Sequence, residues 1–423
     1  MKKALAAMSG GVDSSVAAAL LKEQGFFVTG AYMKNFSEES WSGVVKADCP
    51  WQVDMADAKE VCEKLGIEFR SFNFEKEYAE KVIEYFFSEY ERGRTPNPDI
   101  MCNKEIKFGL FLQKAMELGF DYVASGHYAR ITSSSLRAHA KQSRGDRHGL
   151  RSRDDVQYEL LKGVDQKKDQ SYFLSELNQE QLSKILFPIG EYSKPQVREL
   201  ARKFGLPNAE KKDSQGVCFI GHINLREFLK QRIPERVGEI VTTTGQVIGQ
   251  HKGAAYYTIG QREGLGVGGG TPYYVVQKDV VKNRLVVAPK SLVPELVEGL
   301  PGLYTRFVSV SKVHWIGEVP KLPLQCSAKI RYQQADQKCI VRLCEEQSDE
   351  AIPSSTEIAS PSTHSTEAQG RLEQSRKATS LGIAMTKEGE MRVEFKDPQF
   401  AAAPGQTVVF YDGNRVLGGG IIQ

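Results

Sequence analysis

The stretch Ser9-Gly10-Gly11-Val12-Asp13-Ser14-Ser15 sets two adjacent glycines among three hydroxyls and one carboxylate. Such a set suits an anion: glycines let the backbone approach phosphate oxygens, while amide hydrogens, hydroxyls and the positive end of a following helix face the charge. We read it, with Ala7 and Met8 at its entrance, as the phosphate cradle of a nucleotide site. No Gly-Lys-Ser/Thr follows the glycines, so it is not a Walker A loop. Two cysteines offer a second chemistry. Cys102 ends the proline-stiffened run Arg94-Thr95-Pro96-Asn97-Pro98-Asp99-Ile100-Met101-Cys102, with Lys104 close by and a helix predicted from Ile106. Both a helix N-terminus and a lysine favour the thiolate. Cys218 lies between Gly216 and Gly221 on a predicted loop. A thiol in either setting is a nucleophile or an apolar filler.

Periodicity predicts the elements that must hold these groups. Ala4 to Met8 has no polar alternation, as in a parallel strand covered on both faces. Val16, Leu20 and Leu21 recur at helical spacing until Gly25, and Phe27 to Met33 reads as a second strand. Val53 to Leu65 is predicted helical, Ile67 to Phe72 a strand, Tyr78 to Tyr90 and Ile106 to Leu118 helices, and Tyr122 to Ala129 a strand. This alternation, up to about Leu206, predicts an α/β fold with a doubly wound parallel sheet. Ligands of such sheets sit beyond the carboxyl ends of the strands, which places Met33, Gly126 and His127 in the crevice of the Ser9–Ser15 loop.

Three domains are expected: 1–206, the nucleotide domain; 207–279, a small glycine-rich β region carrying Cys218; and 280–423, a β-barrel. In the last, Leu324, Cys326, Ala328 and Ile330 alternate with polar residues, and Val408 to Ile422 reads as a hairpin turning at Asp412-Gly413. The run from Gly260 to Gly270 is either a connector or a contact surface. Ser133 to Gln157 holds six Lys/Arg, and Glu345 to Gly389 is rich in Ser, Thr, Glu and Pro; neither has an aromatic residue. Both are expected to be mobile surface expansions, because neither buries enough apolar surface to offset its ordering entropy.

Composition narrows the class. With 423 residues, 40% hydrophobic and 26% charged, the chain reads as soluble and globular. No run of about 18 apolar residues spans a bilayer. The first strand starts at once, leaving no room for a signal or transit peptide, so a cytoplasmic protein is expected. A net charge of +3 does not by itself indicate nucleic acid. Seven cysteines, an odd number without any Cys-x-x-Cys, argue against a disulfide framework and a zinc ribbon, and disfavour an iron–sulfur thiolase.

The loop resembles the SGGxDS signature of the PP-loop ATP pyrophosphatases, which cleave ATP between the alpha and beta phosphates and leave AMP on an acceptor. The resemblance implies ATP and Mg²⁺, with Asp13 as the Mg²⁺ contact. The strings SGGVDSS, GRTPNPDIMCNKEIKF, SGHYAR, KKDQSYFL, FPIGEYSKPQVRELA, KKDSQGVCFIG, YYTIGQREGLGVGG and PGQTVVFYDG occur in that order. Together they are similar to the bacterial tRNA-specific 2-thiouridylases over nearly the whole chain apart from the two expansions. The resemblance implies adenylation of the C2 oxygen of a wobble uridine flipped from its stack, then its replacement by persulfide sulfur. Cys218 would carry the persulfide, Cys102 would release the sulfur through a transient disulfide, and Asp99 could serve as acid or base. Asn97, Pro98 and Asp99 match the segment meeting the target base. Lys168, Asp169, Gln170, His127, Arg331, Tyr332 and Gln406 match tRNA contacts. The family further implies tRNA for Lys, Glu and Gln, and a cysteine desulfurase or sulfur-relay protein as donor. Cys49, Cys62, Cys326, Cys339 and Cys344 have no role in it, and packing is expected to account for them. The rival enzyme reading is a PP-loop ligase of the argininosuccinate or GMP synthetase kind. The rival outside catalysis is an RNA-binding protein holding ATP only as a ligand.

Overall fold

The structure, a computed structural model, describes residues 1–37, 51–135, 156–212, 225–268, 272–289, 303–344 and 390–423. Cys218, Cys49, most of the 133–157 stretch and all of 345–389 lie outside the described residues.

The strands of the first unit are β1 (Lys3–Ala7), β2 (Phe27–Lys34), β3 (Glu68–Asn73), β4 (Tyr122–Ala124), the hairpin β5 (Ala129–Ser135) and β6 (Val156–Lys162), and β7 (Ile185–Leu186). Five of them form a parallel sheet in the order β3-β2-β1-β4-β7. The helices are α1 (Val12–Glu23), α2 (Trp51–Leu65), α3 (75–91), α4 (98–117), α5 (Gln179–Leu182), α6 (Lys194–Lys203) and α7 (Leu225–Lys230), with π-helical stretches at Ala79–Ile83 in α3 and Cys102–Leu110 in α4. The unbroken apolar character of β1 has a direct cause. Ala4 and Ala6 pack with α1, α2 and α6, whereas Leu5 and Ala7 pack with α3 and α4, so both faces are covered.

Three expectations need correction here. The Asn97-Pro98-Asp99 segment is not a loop leading to a helix at Ile106. It starts α4 itself, with Asn97 as cap accepting from the Asp99 and Ile100 amides and Pro98 in the first turn. The strand expected over 122–129 stops at Ala124, and Ala129 opens a separate hairpin. Ser133 to Ser135 pair with Val156 to Tyr158, so the ends of the expected expansion are strand rather than loose surface.

The middle unit holds β8 (Gly238–Thr242), β9 (Val247–His251), β10 (Tyr273–Asp279) and β11 (Arg284–Pro289), ordered β10-β11-β8-β9. The change of pattern near Val280 therefore falls on the turn between two strands of this one sheet. The start of the glycine run is tied down: the Gly260 amide donates to Val275 O at 2.8 Å, and the Val275 amide to Gln261 O at 3.0 Å. The last unit is a closed antiparallel barrel of β12 (Tyr304–Trp315), β13 (Leu324–Lys329), β14 (Gln337–Leu343), β15 (Met391–Phe400), β16 (Thr407–Asp412) and β17 (Arg415–Ile422). Its order is β12-β15-β14-β13-β16-β17, and β12 pairs with β17 to close it. The hairpin β5–β6 adds to β17 from the first unit, and Tyr172 OH donates to Thr407 O at 2.7 Å, so barrel and nucleotide unit are joined directly. Among the described residues no helix is long and apolar enough to cross a membrane.

Candidate active site

The phosphate loop leaves β1 and enters α1 beneath α2. Gly10 adopts a φ of 71°, and a Cβ there would stand 2.3 Å from the Asp54 carbonyl oxygen. Only glycine meets both conditions. Gly11 caps α1 without a side-chain bond to the helix, which leaves the first-turn amides to an incoming anion. The serines act differently from expectation: Ser14 and Ser15 Oγ donate to Gly11 O at 3.0 and 2.9 Å, and Ser9 Oγ lies 3.2 Å from Ser14 Oγ. Their hydroxyls hold the shape of the cradle. Asn208 steadies it from outside, donating to Gly10 O and Ser15 Oγ at 2.9 Å each. Gly126 lies against the far wall, where a Cβ would be 2.6 Å from Ser14 N. Met33 is the next-to-last residue of β2 at the same carboxyl edge, buried like Ala7 and Met8.

Asp13 has partners that the sequence reading missed. Its Oδ1 accepts from Lys194 Nζ at 2.8 Å and from Tyr128 OH at 2.9 Å. A signal for Lys194 was available: Ser193 and Gln196 form a capping box, with Pro195 in the first turn. A lysine there opposes the helix dipole, so it needs an anion nearby. Among the described residues no group of three His, Cys, Asp or Glu side chains could hold a metal. A single carboxylate beside a phosphate loop fits a Mg²⁺ carried mainly by nucleotide and water oxygens, not an all-protein cage.

Cys102 occupies the head of the π-helical stretch of α4 and is wholly buried. Burial pushes its thiol up to about 12; Lys107 pulls the other way, and Asp99 adds to the rise. The expected thiolate is therefore absent in this conformation. The cysteine lies one turn past the helix start, and Lys104 is engaged with Glu176 at 3.1 Å. Lys107 Nζ stands 3.5 Å from His127 Nε2, and Ser125 Oγ stands 2.8 Å from His127 Nδ1. Burial and then Lys107 hold His127 well below the usual histidine range, so the ring is neutral. A charged Lys107 facing Nε2 puts the ring proton on Nδ1, where it donates to Ser125. Residues 125–127 thus touch the phosphate loop through Gly126 and the helix of Cys102 through His127.

Several of the expected RNA-facing residues spend their side chains inside the protein. Asp169 is buried and accepts from the Gly163 and Ser171 amides and from Ser171 Oγ at 3.0 to 3.1 Å. Gln170 Oε1 accepts from the Tyr128 amide at 3.0 Å, while Lys168 stays half-buried at the surface. Gln406 Nε2 donates to Thr95 O at 2.7 Å and pins the segment entering α4 to the barrel. Tyr332 packs on Phe173 with ring centres 4.4 Å apart, and Asn103 Nδ2 donates to Phe173 O at 3.2 Å. Arg331 donates to Ala401 O at 2.9 Å. Of the other cysteines, Cys62 is buried as a packing residue should be, but Cys344 is exposed.

Fold and loop define the class, a PP-loop α/β domain of an ATP-using enzyme followed by two β units. Family models agree: one described as "tRNA methyl transferase HUP domain" matches residues 2–222, "tRNA methyl transferase PRC-barrel domain" 226–289, and "Aminomethyltransferase beta-barrel domain" 305–352 and 353–422. The tRNA-specific 2-thiouridylase MnmA of Alkaliphilus oremlandii is 42% identical over 425 residues, covering 100% of this chain and 97% of the relative. That of Halalkalibacterium halodurans is 43% identical over 420 residues, covering 98% of this chain and 93% of the relative. That of Pseudomonas syringae pv. syringae is 41% identical over 430 residues, covering 100% and 94%. The chain belongs to the tRNA-specific 2-thiouridylase family. Among solved structures, NMN synthetase from Francisella tularensis covers 50% of this chain and 66% of its own at 17% identity and a TM-score of 0.27, too slight a likeness to argue from.

Proposed function

We propose that this protein replaces the C2 oxygen of a tRNA wobble uridine with sulfur at the expense of ATP. The carrying observation is the position of residues 125–127, which touch the phosphate loop on one side and the helix of Cys102 on the other. One protein then serves two half-reactions. Carbonyl oxygen is a poor leaving group until adenylated. The Gly10 and Gly11 backbone, the open end of α1 and Lys194 supply the positive field that would hold the triphosphate, with Asp13 toward Mg²⁺. The start of α4, from Asn97 to Asp99, would receive the flipped base. Cys218 carries the incoming persulfide, whose terminal sulfur attacks C2. Cys102 then attacks the inner sulfur, forming a disulfide with Cys218 and freeing the sulfur to stay on the base as AMP departs. Because Cys102 is buried and protonated at rest, seating of tRNA must expose it. A cysteine desulfurase or relay protein supplies sulfur, and the reaction belongs to the cytoplasm, where tRNA is met.

The descriptions of two matching family models speak of methyl transfer, and one experiment separates the two chemistries. Unmodified tRNA is incubated with ATP, Mg²⁺ and a desulfurase-fed sulfur source, and its nucleosides are analysed by mass. Thiouridine from the native protein, lost in Cys218→Ser and Cys102→Ala, is the expected result. Methylated uridine, or no product from folded, ATP-binding protein, overturns the reading.

A further inference from the structure

The barrel contains a pair of thiols that the chemistry above does not use. Cys326 on β13 stands directly opposite Cys339 on β14, with the two sulfurs 3.6 Å apart and both thiols free. The residues are 13 apart in the chain, so a bond between them would close the hairpin whose turn carries Arg331 and Tyr332. Their exposure differs. Cys339 is in the barrel core with Val341, Phe395 and Phe410, whereas Cys326 is half-buried at its margin.

We propose that Cys326 and Cys339 are a modification site, a dithiol that a small disulfide converts reversibly into an intramolecular disulfide. The entry point is Cys326. The neighbouring thiol first, and burial second, push the Cys339 thiol up, so Cys339 does not start the exchange. The Cys326 thiolate attacks a disulfide RSSR, forming Cys326–S–SR and expelling RS⁻. Cys339 then attacks the Cys326 sulfur and expels the second RS⁻. The two thiol protons end on two RSH, and the two electrons lost by the cysteine pair reduce RSSR. Little movement is needed, because directly opposed cross-strand residues already place their Cβ atoms about 4.5–5.5 Å apart, against about 3.5–4.5 Å in disulfides. Excess thiol runs both steps backwards.

The closed hairpin restrains the turn that carries Arg331, bonded to Ala401 O within the barrel, and Tyr332, packed on Phe173 of the nucleotide unit. A covalent link across β13 and β14 is expected to slow opening of this hairpin about tenfold or more.

The test incubates the full chain with oxidised glutathione, alkylates remaining thiols and digests without reduction. Exposed Cys344 is the internal control for reagent access. The expected product is a peptide pair joined through Cys326 and Cys339, with Cys344 recovered as its glutathione adduct. Hydrogen exchange of residues 324–343 should slow after oxidation and recover with excess reductant. In Cys339→Ser, the joined pair should vanish and the adduct remain on Cys326. Recovery of Cys326 in the native protein as a lasting adduct or as free thiol, while Cys344 is fully modified, overturns the proposal. So does a joined pair that leaves exchange over 324–343 unchanged.

Discussion

Replacing Gly126 by alanine isolates the contact between the end of β4 and the phosphate loop. Gly126 is not among the residues with positive φ, so alanine brings no backbone strain and its whole effect comes from the added methyl. That carbon would stand 2.6 Å from Ser14 N and 2.7 Å from Asp13 C, where ordinary contact begins at 3.4 Å. The loop backbone must therefore withdraw by about 0.8 Å. Overpacking of this kind costs about 1–3 kcal/mol, and a displacement near 1 Å at a reacting centre costs about 10²-fold in rate. Calorimetric ATP titration, AMP release with tRNA present and thermal unfolding should be measured together. Gly119→Ala is the matched control. Its φ is 77° and nothing lies within 4 Å of its added carbon, so it should lose about 1–2 kcal/mol of stability and bind ATP normally. Native ATP affinity and turnover in Gly126→Ala would refute the assignment of this contact to nucleotide binding.

Lys194→Met should keep the fold and lower tRNA-dependent AMP release by about 10²-fold, because Asp13 then faces the phosphates unneutralised; ATP titration locates the loss in binding or turnover. At pH 8, without tRNA, Cys102 should react with iodoacetamide about 10³-fold more slowly than a free thiol, with the rate rising tenfold per pH unit and with added tRNA and ATP; peptide mass analysis reads it. The same thiol keeps its proton to higher pH in the folded chain than in the unfolded one. Its stabilisation is thus complete below the ordinary thiol range and lost as pH climbs toward about 12, which urea titrations at several alkaline pH values would detect. Asp169→Ala should destabilise the chain by about 2–4 kcal/mol in urea titration, since it strands the buried Gly163 and Ser171 donors; a change below about 0.5 kcal/mol would show that water replaces the carboxylate.

Much of this protein was determined locally. Two glycines between an apolar strand and a helix specify a phosphate loop because the requirement is one of backbone conformation, which a few adjacent residues settle. Unbroken apolar strands specify a covered parallel sheet, and period-two alternation with short turns specifies the barrel. The ordered motifs pointed to the family for the same reason. The electrostatic state of the site was not local. Lys194 meets Asp13 from 181 residues away, and no spacing rule joins them. Cys102 read as a thiolate from its neighbours in sequence, yet the side chains packed around it bury it and keep its proton. Lys104 turns to Glu176, whereas Lys107 is the lysine that acts on the thiol. Asp169 and Gln170 match tRNA contacts in the sequence, and only the fold shows that their side chains also bind the Gly163 and Tyr128 amides. A pKa or a hydrogen-bond partner depends on the field and solvent access of everything folded around a group, so only the tertiary structure decided these.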